Sequence, residues 1–274
     1  MHTNRYNFQV KIVVCLKQVP AKDAPLKLDA AAGPGHNWIR EDVGFEVNEP
    51  DAFALEAALK LKEAHGGEVI ALTVGPARAA QVLREALAKG ADRALHVEGA
   101  DAHRLDAYAV AEAITRALAG ESFDLLLTGL QSDDGGYGQT GVIVAELLGA
   151  PHATIIMSVE PAPPAQGQPR IKVKRELESG NFQFVEMPTP AVLSIQSGIS
   201  KLRYATLMGI KQAKNKPLAL MKLEDLGVTP ALNRQVIHKL FVPVKAKGTT
   251  LIPGTPKEQA AALLDHLRNQ AHVL

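Results

Sequence analysis

The sequence predicts an α/β fold: a doubly wound, mainly parallel sheet of the Rossmann-like, adenine-nucleotide-binding kind. Strand and helix patterns alternate from residue 11 to residue 149, and such alternation places helices on both faces of a parallel sheet. Short β-branched runs, such as residues 11–16, have the continuous apolar character of strands that are buried on both faces. A glycine-rich loop at residues 129–138 separates a strand from a helix, where backbone N–H groups commonly bind an anion.

The first half of the chain supplies the alternating elements. The predicted strands cover residues 11–16, 68–74, 93–97 and 125–128, and the predicted helices cover residues 52–64, 77–88, 105–119 and 139–149. Asn48 precedes Pro50 and Asp51 at the first helix start, and this spacing favours ordinary capping over a ligand contact.

The second half of the chain is predicted to add the remaining strands of the sheet, followed by segments that lie outside the sheet. Strands are expected at residues 153–159 and 191–196, and a proline-rich turn between them leads to an edge β-hairpin of residues 170–176 and 181–186. The basic residues 197–216 are either a solvated connector or a docking element for an acidic partner surface. Residues 218–274 show a short strand at 237–243 and a helix at 255–271, and we expect them to form an arm that packs on another subunit.

Composition excludes several classes of protein. The 274 residues carry 30 Lys and Arg against 29 Asp and Glu, so charge does not indicate nucleic acid or a membrane surface. Cys15 is the only cysteine, which excludes a disulfide framework and fits a reducing compartment. No apolar run approaches the roughly 20 residues of a membrane span, and residues 1–9 lack the apolar core of a secretory signal. These features predict a soluble, cytoplasmic protein.

The glycine loop, defined as residues 129–138, is the main candidate site. By itself it is equally compatible with an empty β–α turn, but Cys15 and Val74 fall at or just beyond the carboxyl ends of two other predicted strands and favour a phosphate-bearing ligand at the same edge. Asp133 and Asp134 lack a third carboxylate in register, so no metal site is predicted. No catalytic residues are predicted, because histidines, serines and Cys15 stand outside nucleophile or metal-ligand motifs. A nucleotide site without catalytic residues indicates a binding or electron-carrying protein.

Several stretches together resemble the β subunit of electron transfer flavoprotein. They are KIVVCLKQVP, NEPDAFALEAALKLKE, VGPARAAQVLREALAKGADRALHV, LLLTGLQSDDGGYGQTGVIVAELLG, the KRELESG hairpin and RYATLMGIKQAKNKPL. They follow the family's order and spacing over residues 10–230. The resemblance implies an electron carrier subunit with no enzyme activity of its own, in a heterodimer with an α subunit that holds most of the contacts to FAD. It also implies AMP in the β subunit, dehydrogenases such as acyl-CoA dehydrogenases as electron donors, and a membrane quinone oxidoreductase as acceptor.

The resemblance also implies site residues and a domain division. The nucleotide contacts would be Cys15, Asn48, Glu49, Pro50, Asp51, Val74, Gly129, Leu130, Gln131, Asp134, Gly135, Gly136, Tyr137, Gly138, Gln139, Thr140 and Gly141. The partner-docking residues would be Ile199, Leu202, Arg203 and Tyr204, in a recognition loop of residues 197–216. The chain would divide into an extension (1–9), a nucleotide-binding domain that includes the recognition loop (10–217) and a C-terminal arm (218–274).

Two departures from the family pattern leave the nucleotide open. Asp134 is followed by Gly135 and Gly136, as in bifurcating members that bind a second FAD in place of AMP and take electrons from NADH. Pro50 stands where many members have Phe near the flavin of the α subunit. The stretch RYATL matches the non-bifurcating recognition loop, and AMP is therefore the expected ligand. A stand-alone ATP-binding protein of similar architecture is a more distant alternative, and it would not need residues 197–216.

Overall fold

The structure is a computed structural model that describes residues 9–25, 28, 42–241 and 249–274. Its strands are β1 (Val10–Cys15), β2 (Gln18–Pro20), β3 (Phe45–Val47), β4 (Gly67–Gly75), β5 (Arg93–Glu98), β6 (Leu125–Gly129), β7 (His152–Ala165), β8 (Gln168–Glu176), β9 (Phe182–Pro188), β10 (Ala191–Ile195) and β11 (Leu218–Lys222). Its α-helices are α1 (Glu49–His65), α2 (Ala80–Lys89), α3 (Ala107–Ala117), α4 (Thr140–Leu148), α5 (Leu207–Ala213) and α6 (Pro256–Asp265).

Nine of the described strands form one sheet in the order β11-β5-β4-β1-β6-β10-β7-β8-β9, and β2 pairs with β3 in a separate antiparallel ribbon. All neighbouring strands from β11 to β7 pair in parallel, whereas β8 pairs antiparallel with both β7 and β9. The predicted α/β class and the edge hairpin are therefore confirmed. From β1 the chain adds β4 and β5 on one side and then returns to place β6 on the other. Sheets of this kind bind ligands at such a reversal, which here lies between β1 and β6.

Helices cover both faces of the parallel strands. Alternate residues of β1 enter different cores, with Ile12 and Val14 in the core beneath α1 and α2, and Val13 in the core beneath α3 and α4. In β6, Leu125 and Leu127 likewise lie on the first face and Leu126 on the second. This burial on both faces explains the unbroken apolar runs that predicted the strands.

The proline-rich turn predicted after residue 159 is wrong, because β7 continues through it to Ala165. β10 pairs with β7 only as far as Ile156. Among the described strands, the rest of β7 is therefore paired on one side only, by β8. Proline is tolerated at such an edge, where its missing N–H removes no ladder hydrogen bond.

The later part of the chain contains more structure than its pattern indicated. Residues 218–222, which we expected to begin the C-terminal arm, form β11 and pair in parallel with β5. Residues 237–241, part of a predicted short strand, have no regular structure, and residues 242–243 lie outside the described ranges. The extension 1–9 also lies outside them except for residue 9. The division at residue 217 and the packing of the arm on a partner stay predictions.

Residues 239–274 form a separate compact unit. Its helix α6 confirms the helix predicted from residue 255: Thr255 is the N-cap, Pro256 is the first helical residue, and Thr255 and Glu258 bond reciprocally in a capping box. The predicted helix continues as a π-helical turn, His266–Gln270. Within the described ranges, no helix has the length and apolar character needed to cross a bilayer.

Candidate functional site

The candidate site lies where β1 and β6 end side by side. β1 ends at Cys15 and β6 ends at Gly129, and the two strands pair in parallel. The Leu130 N–H donates to the Ile195 carbonyl at 3.0 Å, which holds the chain leaving β6 against the end of β10. The glycine loop therefore starts from a fixed position at the switch point of the sheet.

Asp51, in the first turn of α1, joins the ends of β1 and β6. Its Oδ2 accepts from the Lys17 N–H at 2.7 Å, and its Oδ1 accepts from the Gly129 N–H at 2.9 Å. A Cβ at position 129 would lie 2.5 Å from the same Oδ1, so this contact requires glycine. Burial raises the pKa of Asp51 to about 6, although the two backbone donors favour the carboxylate.

Asn48 binds the glycine loop instead of capping α1. Its side chain makes no capping hydrogen bond and is only 1% exposed. Its Nδ2 donates to the Gln131 carbonyl at 3.0 Å, and its Oδ1 accepts from the Asp133 N–H at 2.9 Å. The prediction of ordinary capping by Asn48 is therefore wrong, because both polar atoms of the amide are used by the loop. Asn48 and Asp51 form a clamp between α1 and the strand ends.

Lys17 closes the other side of the glycine loop. Its Nζ lies 2.6 Å from Asp134 Oδ1 and 3.2 Å from Ser132 Oγ. Burial opposes ionisation of Asp134, but the Lys17 ammonium and hydrogen bonds from Ser132 and the Gly135 N–H hold its pKa below the usual value. The negative charge of Asp134 is thereby balanced inside the loop, which makes the loop more compatible with an anionic ligand.

The first turn of α4 packs directly on the strand ends. A Cβ at Gly141 would lie 2.7 Å from Thr128 Oγ1 and 2.8 Å from Ser194 Oγ, so glycine is needed for this approach. Those two hydroxyls lie 3.2 Å apart and are buried. The first turn of α4 contains no acidic side chain. Its N–H groups, which have no partner within the helix, point to the same edge as the glycine loop and favour an anion there.

The loop itself depends on glycine at two further positions. Gly136 and Gly138 have φ values of +65° and +62°, in the left-handed region that side chains disfavour. Tyr137 between them is 51% exposed. The end of the loop, residues 135–138, therefore presents backbone and one aromatic ring to its surroundings.

The recognition loop follows β10, contains α5, and combines buried and exposed residues. Ile199 packs partly buried against the core, whereas Tyr204 is 91% exposed. Leu207 and Met208, at the start of α5, are 88% and 63% exposed. Thr206 caps this helix by accepting from the Gly209 N–H at 3.0 Å. The loop thus displays apolar side chains on a fixed backbone.

The recognition loop is fixed to α1 by Arg203. Its Nε and Nη2 donate to the Glu56 carboxylate at 2.8 Å and 3.0 Å, and its Nη1 donates to Glu63 Oε1 at 2.5 Å. These contacts lie within the chain, in the half of α1 that follows the clamp.

Comparison with known proteins decides the family. The sequence model of the electron transfer flavoprotein domain matches residues 37–226. The chain is 37% identical to the electron transfer flavoprotein subunit beta of Methylophilus methylotrophus over 93% of this chain and 97% of the relative. It is 34% identical to the same subunit of Bacillus subtilis, over 88% and 90%. It is 32% identical to the caffeyl-CoA reductase-Etf complex subunit CarD of Acetobacterium woodii, over 97% and 100%. The chain belongs to the electron transfer flavoprotein β-subunit family.

For this β-subunit family member, the structure gathers most of the residues that the resemblance implied. Cys15, the Asn48–Asp51 turn, the glycine loop and residues 139–141 surround the ends of β1, β6 and β10. Val74 lies near the end of β4, the strand next to β1. Glu49 differs from the others because its carboxylate forms an ion pair with Lys22. Contact of any of these residues with a nucleotide stays a prediction.

Cys15 is buried at the end of β1. Burial, and to a lesser degree the charge of Asp51, raises the pKa of its thiol far above the usual value. The thiol is therefore protonated at neutral pH, which makes it a poor nucleophile. Its position suits packing beneath a ligand.

Sequence reasoning missed two residues that border the site. Lys17 follows β1 directly, but its contact with Asp134 crosses more than a hundred residues and leaves no local pattern. Gln235 reaches the start of α4, where its Nε2 lies 3.4 Å from Gln139 Oε1. Asp106 places Gln235 there, because its Oδ2 accepts from the Gln235 N–H at 2.9 Å. No signal in the sequence connects residue 106 with residue 235.

Proposed function

We propose that the chain is the β subunit of a heterodimeric electron transfer flavoprotein and that it binds AMP at the glycine loop. The observation that carries this proposal is the clamp: Asn48 and Asp51 hold the glycine loop and the end of β6 at the switch point, beside the first turn of α4. Backbone N–H donors and glycines that allow a ligand to approach closely thus lie at the edge of the sheet where parallel α/β sheets commonly bind nucleotides.

The residues fit an adenosine monophosphate. The N–H groups of residues 139–141 would hold the phosphate, and no acidic side chain in that helical turn would repel it. The Asp134 charge is already paired with Lys17. Cys15 and Val74, at the ends of β1 and β4, would lie against the nucleoside.

The resemblance extends the proposal to partners. An α subunit would supply most contacts to FAD, which accepts electrons at the interface between the subunits. The donors would be dehydrogenases such as acyl-CoA dehydrogenases, which dock on the recognition loop through Ile199, Leu202 and Tyr204. A membrane quinone oxidoreductase would accept the electrons. The chain itself would be a cytoplasmic carrier subunit without catalytic residues, and its C-terminal arm would pack on the α subunit.

A second candidate is a bifurcating flavoprotein subunit that holds its own FAD and takes electrons from NADH. It is favoured by the glycines at 135, 136 and 138, which leave only Tyr137 as a side chain near the end of the loop. A flavin dinucleotide needs this additional room beyond the first phosphate.

Reduction of the purified heterodimer distinguishes the two candidates. The chain is co-expressed with an α subunit from the same organism, and the complex is mixed either with reduced acyl-CoA dehydrogenase or with NADH. We expect the FAD of the complex to be reduced by the dehydrogenase and not by NADH. Reduction by NADH would overturn the carrier function in favour of bifurcation. Failure to bind an α subunit, together with ATP turnover by the chain alone, would support a stand-alone ATP-binding protein.

A further inference from the structure

Arg203 stands apart from the other residues that the resemblance assigned to docking. Tyr204, its neighbour, is 91% exposed, but the Arg203 side chain is only 28% exposed and points back to α1. Its backbone N–H and its Nε both donate to Glu56 Oε2, at 3.2 Å and 2.8 Å. The main chain and the side chain of Arg203 therefore both bond to the carboxylate of Glu56.

The guanidinium has little capacity left for a partner. Nη1 and Nη2 donate to the two carboxylate oxygens of Glu63, at 2.5 Å and 3.1 Å, while Nη2 also donates to Glu56 Oε1 at 3.0 Å. A guanidinium has five N–H donors in a planar fork. All three of its nitrogens are already bound within the chain.

Glu56 makes the cluster costly to open. Its side chain is 5% exposed, so without Arg203 it would be a buried carboxylate that has lost its ion-pair partner. The Arg203 hydrogen bond lowers the pKa of Glu63, so that carboxylate also stays ionised at neutral pH. The electrostatics therefore favour one position of Arg203 strongly.

We propose that Arg203 is a positioning residue that fixes the recognition loop to α1 and does not itself contact the electron donor. The side chains that it positions are Tyr204 on one side and Ile199 on the other, and α5 follows Tyr204 within the same loop. This inference rests on the proposed docking function of the loop. If the loop occupied its docking position for only a fraction of the time, the apparent affinity for a donor would fall by that fraction.

The position of the loop is tested first, without any donor. Amide hydrogen exchange is measured by mass spectrometry on the full heterodimer, for the wild type and for Arg203→Ala, Arg203→Lys and Lys201→Ala. Lys201 is the matched control, because it is an exposed basic residue of the same loop. We expect Arg203→Ala to speed exchange of the amide at position 203, which is bonded to Glu56, by roughly tenfold in the peptide that contains it, as for a loop released by about 1.4 kcal/mol. Lys201→Ala and the peptide of the glycine loop should exchange as in the wild type.

The second measurement, the KM of a donor for the heterodimer, tests whether Arg203 positions the loop or contacts the donor itself. Steady-state reduction of the heterodimer by an acyl-CoA dehydrogenase with its acyl-CoA is followed while the heterodimer concentration is varied. Arg203→Ala should raise KM for the heterodimer by roughly tenfold with kcat nearly unchanged, and Arg203→Lys should restore part of it because lysine keeps the charge but lacks the fork. Flavin and AMP contents should stay at their wild-type values.

Two results would overturn the inference. A raised KM with wild-type exchange in the loop would mean that Arg203 contacts the donor directly. Wild-type exchange and wild-type KM together would mean that Arg203 has no role in docking. If the wild-type heterodimer accepts no electrons from the dehydrogenase, the proposed function fails, but the exchange measurement still decides whether Arg203 fixes the loop.

Discussion

Asp51 and Asn48 are polar residues buried at the start of α1, and each is hydrogen-bonded to backbone groups from distant parts of the chain. Asp51 accepts from Lys17 and Gly129, and Asn48 bonds to both Gln131 and Asp133. A buried polar group destabilises a fold unless its hydrogen bonds are satisfied. The two residues therefore fix the shape of the loop to which they are bonded.

The pKa of Asp51 predicts a pH dependence of stability. Its pKa rises from 3.8 to about 6 on burial, so the folded chain holds the proton more tightly than the unfolded chain. The contribution of this proton is complete below about pH 4 and is lost as the pH rises through about 6. Relative to Asp51→Asn, the free energy of unfolding of the wild type should fall over that interval by an amount on the order of 3 kcal/mol.

Urea unfolding of both chains at several pH values checks this result. Asp51→Asn removes the titration while keeping the shape of the side chain. The difference between the two curves should be constant above the interval. Parallel pH profiles throughout would show that Asp51 does not titrate as its burial indicates.

Asn48→Ala should destabilise the chain and weaken the nucleotide site. It leaves the Gln131 carbonyl and the Asp133 N–H without their buried partner, which costs roughly 1–3 kcal/mol in the free energy of unfolding. Asn181→Ala is the matched control, because that amide bonds to the Glu178 carbonyl in an exposed hairpin turn, and it should change stability by less than about 0.5 kcal/mol. Equal effects of the two substitutions in urea unfolding would contradict the clamp.

At the scale of elements, the sequence was informative wherever a residue's role is local. The glycine loop, a helix starting within one residue of Thr140 and the edge hairpin of residues 170–176 and 181–186 all follow from turn and strand patterns, and all were predicted. The role of Asn48 was predicted wrongly because a capping motif and a loop-binding amide look identical without the tertiary contact. The prolines of β7 predicted a turn because the open edge that tolerates them is invisible in the sequence.

The packing of α4 on the sheet gives a prediction for Gly141→Ala. Alanine normally stabilises a helix by about 1 kcal/mol relative to glycine. Here its Cβ would meet the Thr128 and Ser194 hydroxyls, and such overpacking costs roughly 1–3 kcal/mol. The start of α4 should shift away from the strand ends, and the purified heterodimer should retain less AMP.

Gly149→Ala, at the other end of the same helix, is the control for that experiment. A Cβ there meets nothing within 4 Å, although its φ of +62° makes alanine strained. We expect a loss of stability of roughly 1–2 kcal/mol with AMP retained at the wild-type level. Equal loss of AMP in both variants would mean that the close approach at Gly141 is unrelated to binding.

For the whole molecule, alternation of strands and helices was enough to predict the parallel sheet, but it did not determine the order of its strands. The reversal between β1 and β6 depends on the side of the sheet to which each crossover returns. β11 was missed because Leu218–Lys222 is only partly buried at the sheet edge and shows no strong apolar run. Several motifs in the family's order and spacing were enough to predict the family. The identity of the nucleotide depends instead on the space around the glycine loop, which these motifs do not determine.

The nucleotide content of the purified heterodimer shows whether the glycine loop holds AMP. The complex is denatured, and the released nucleotides are separated and quantified against the protein. Our account predicts one FAD and one AMP per heterodimer. Two FAD and no AMP would mean that the glycine loop binds a second flavin, which favours bifurcation. A single FAD with no further nucleotide would contradict the assignment of the glycine loop as a nucleotide site.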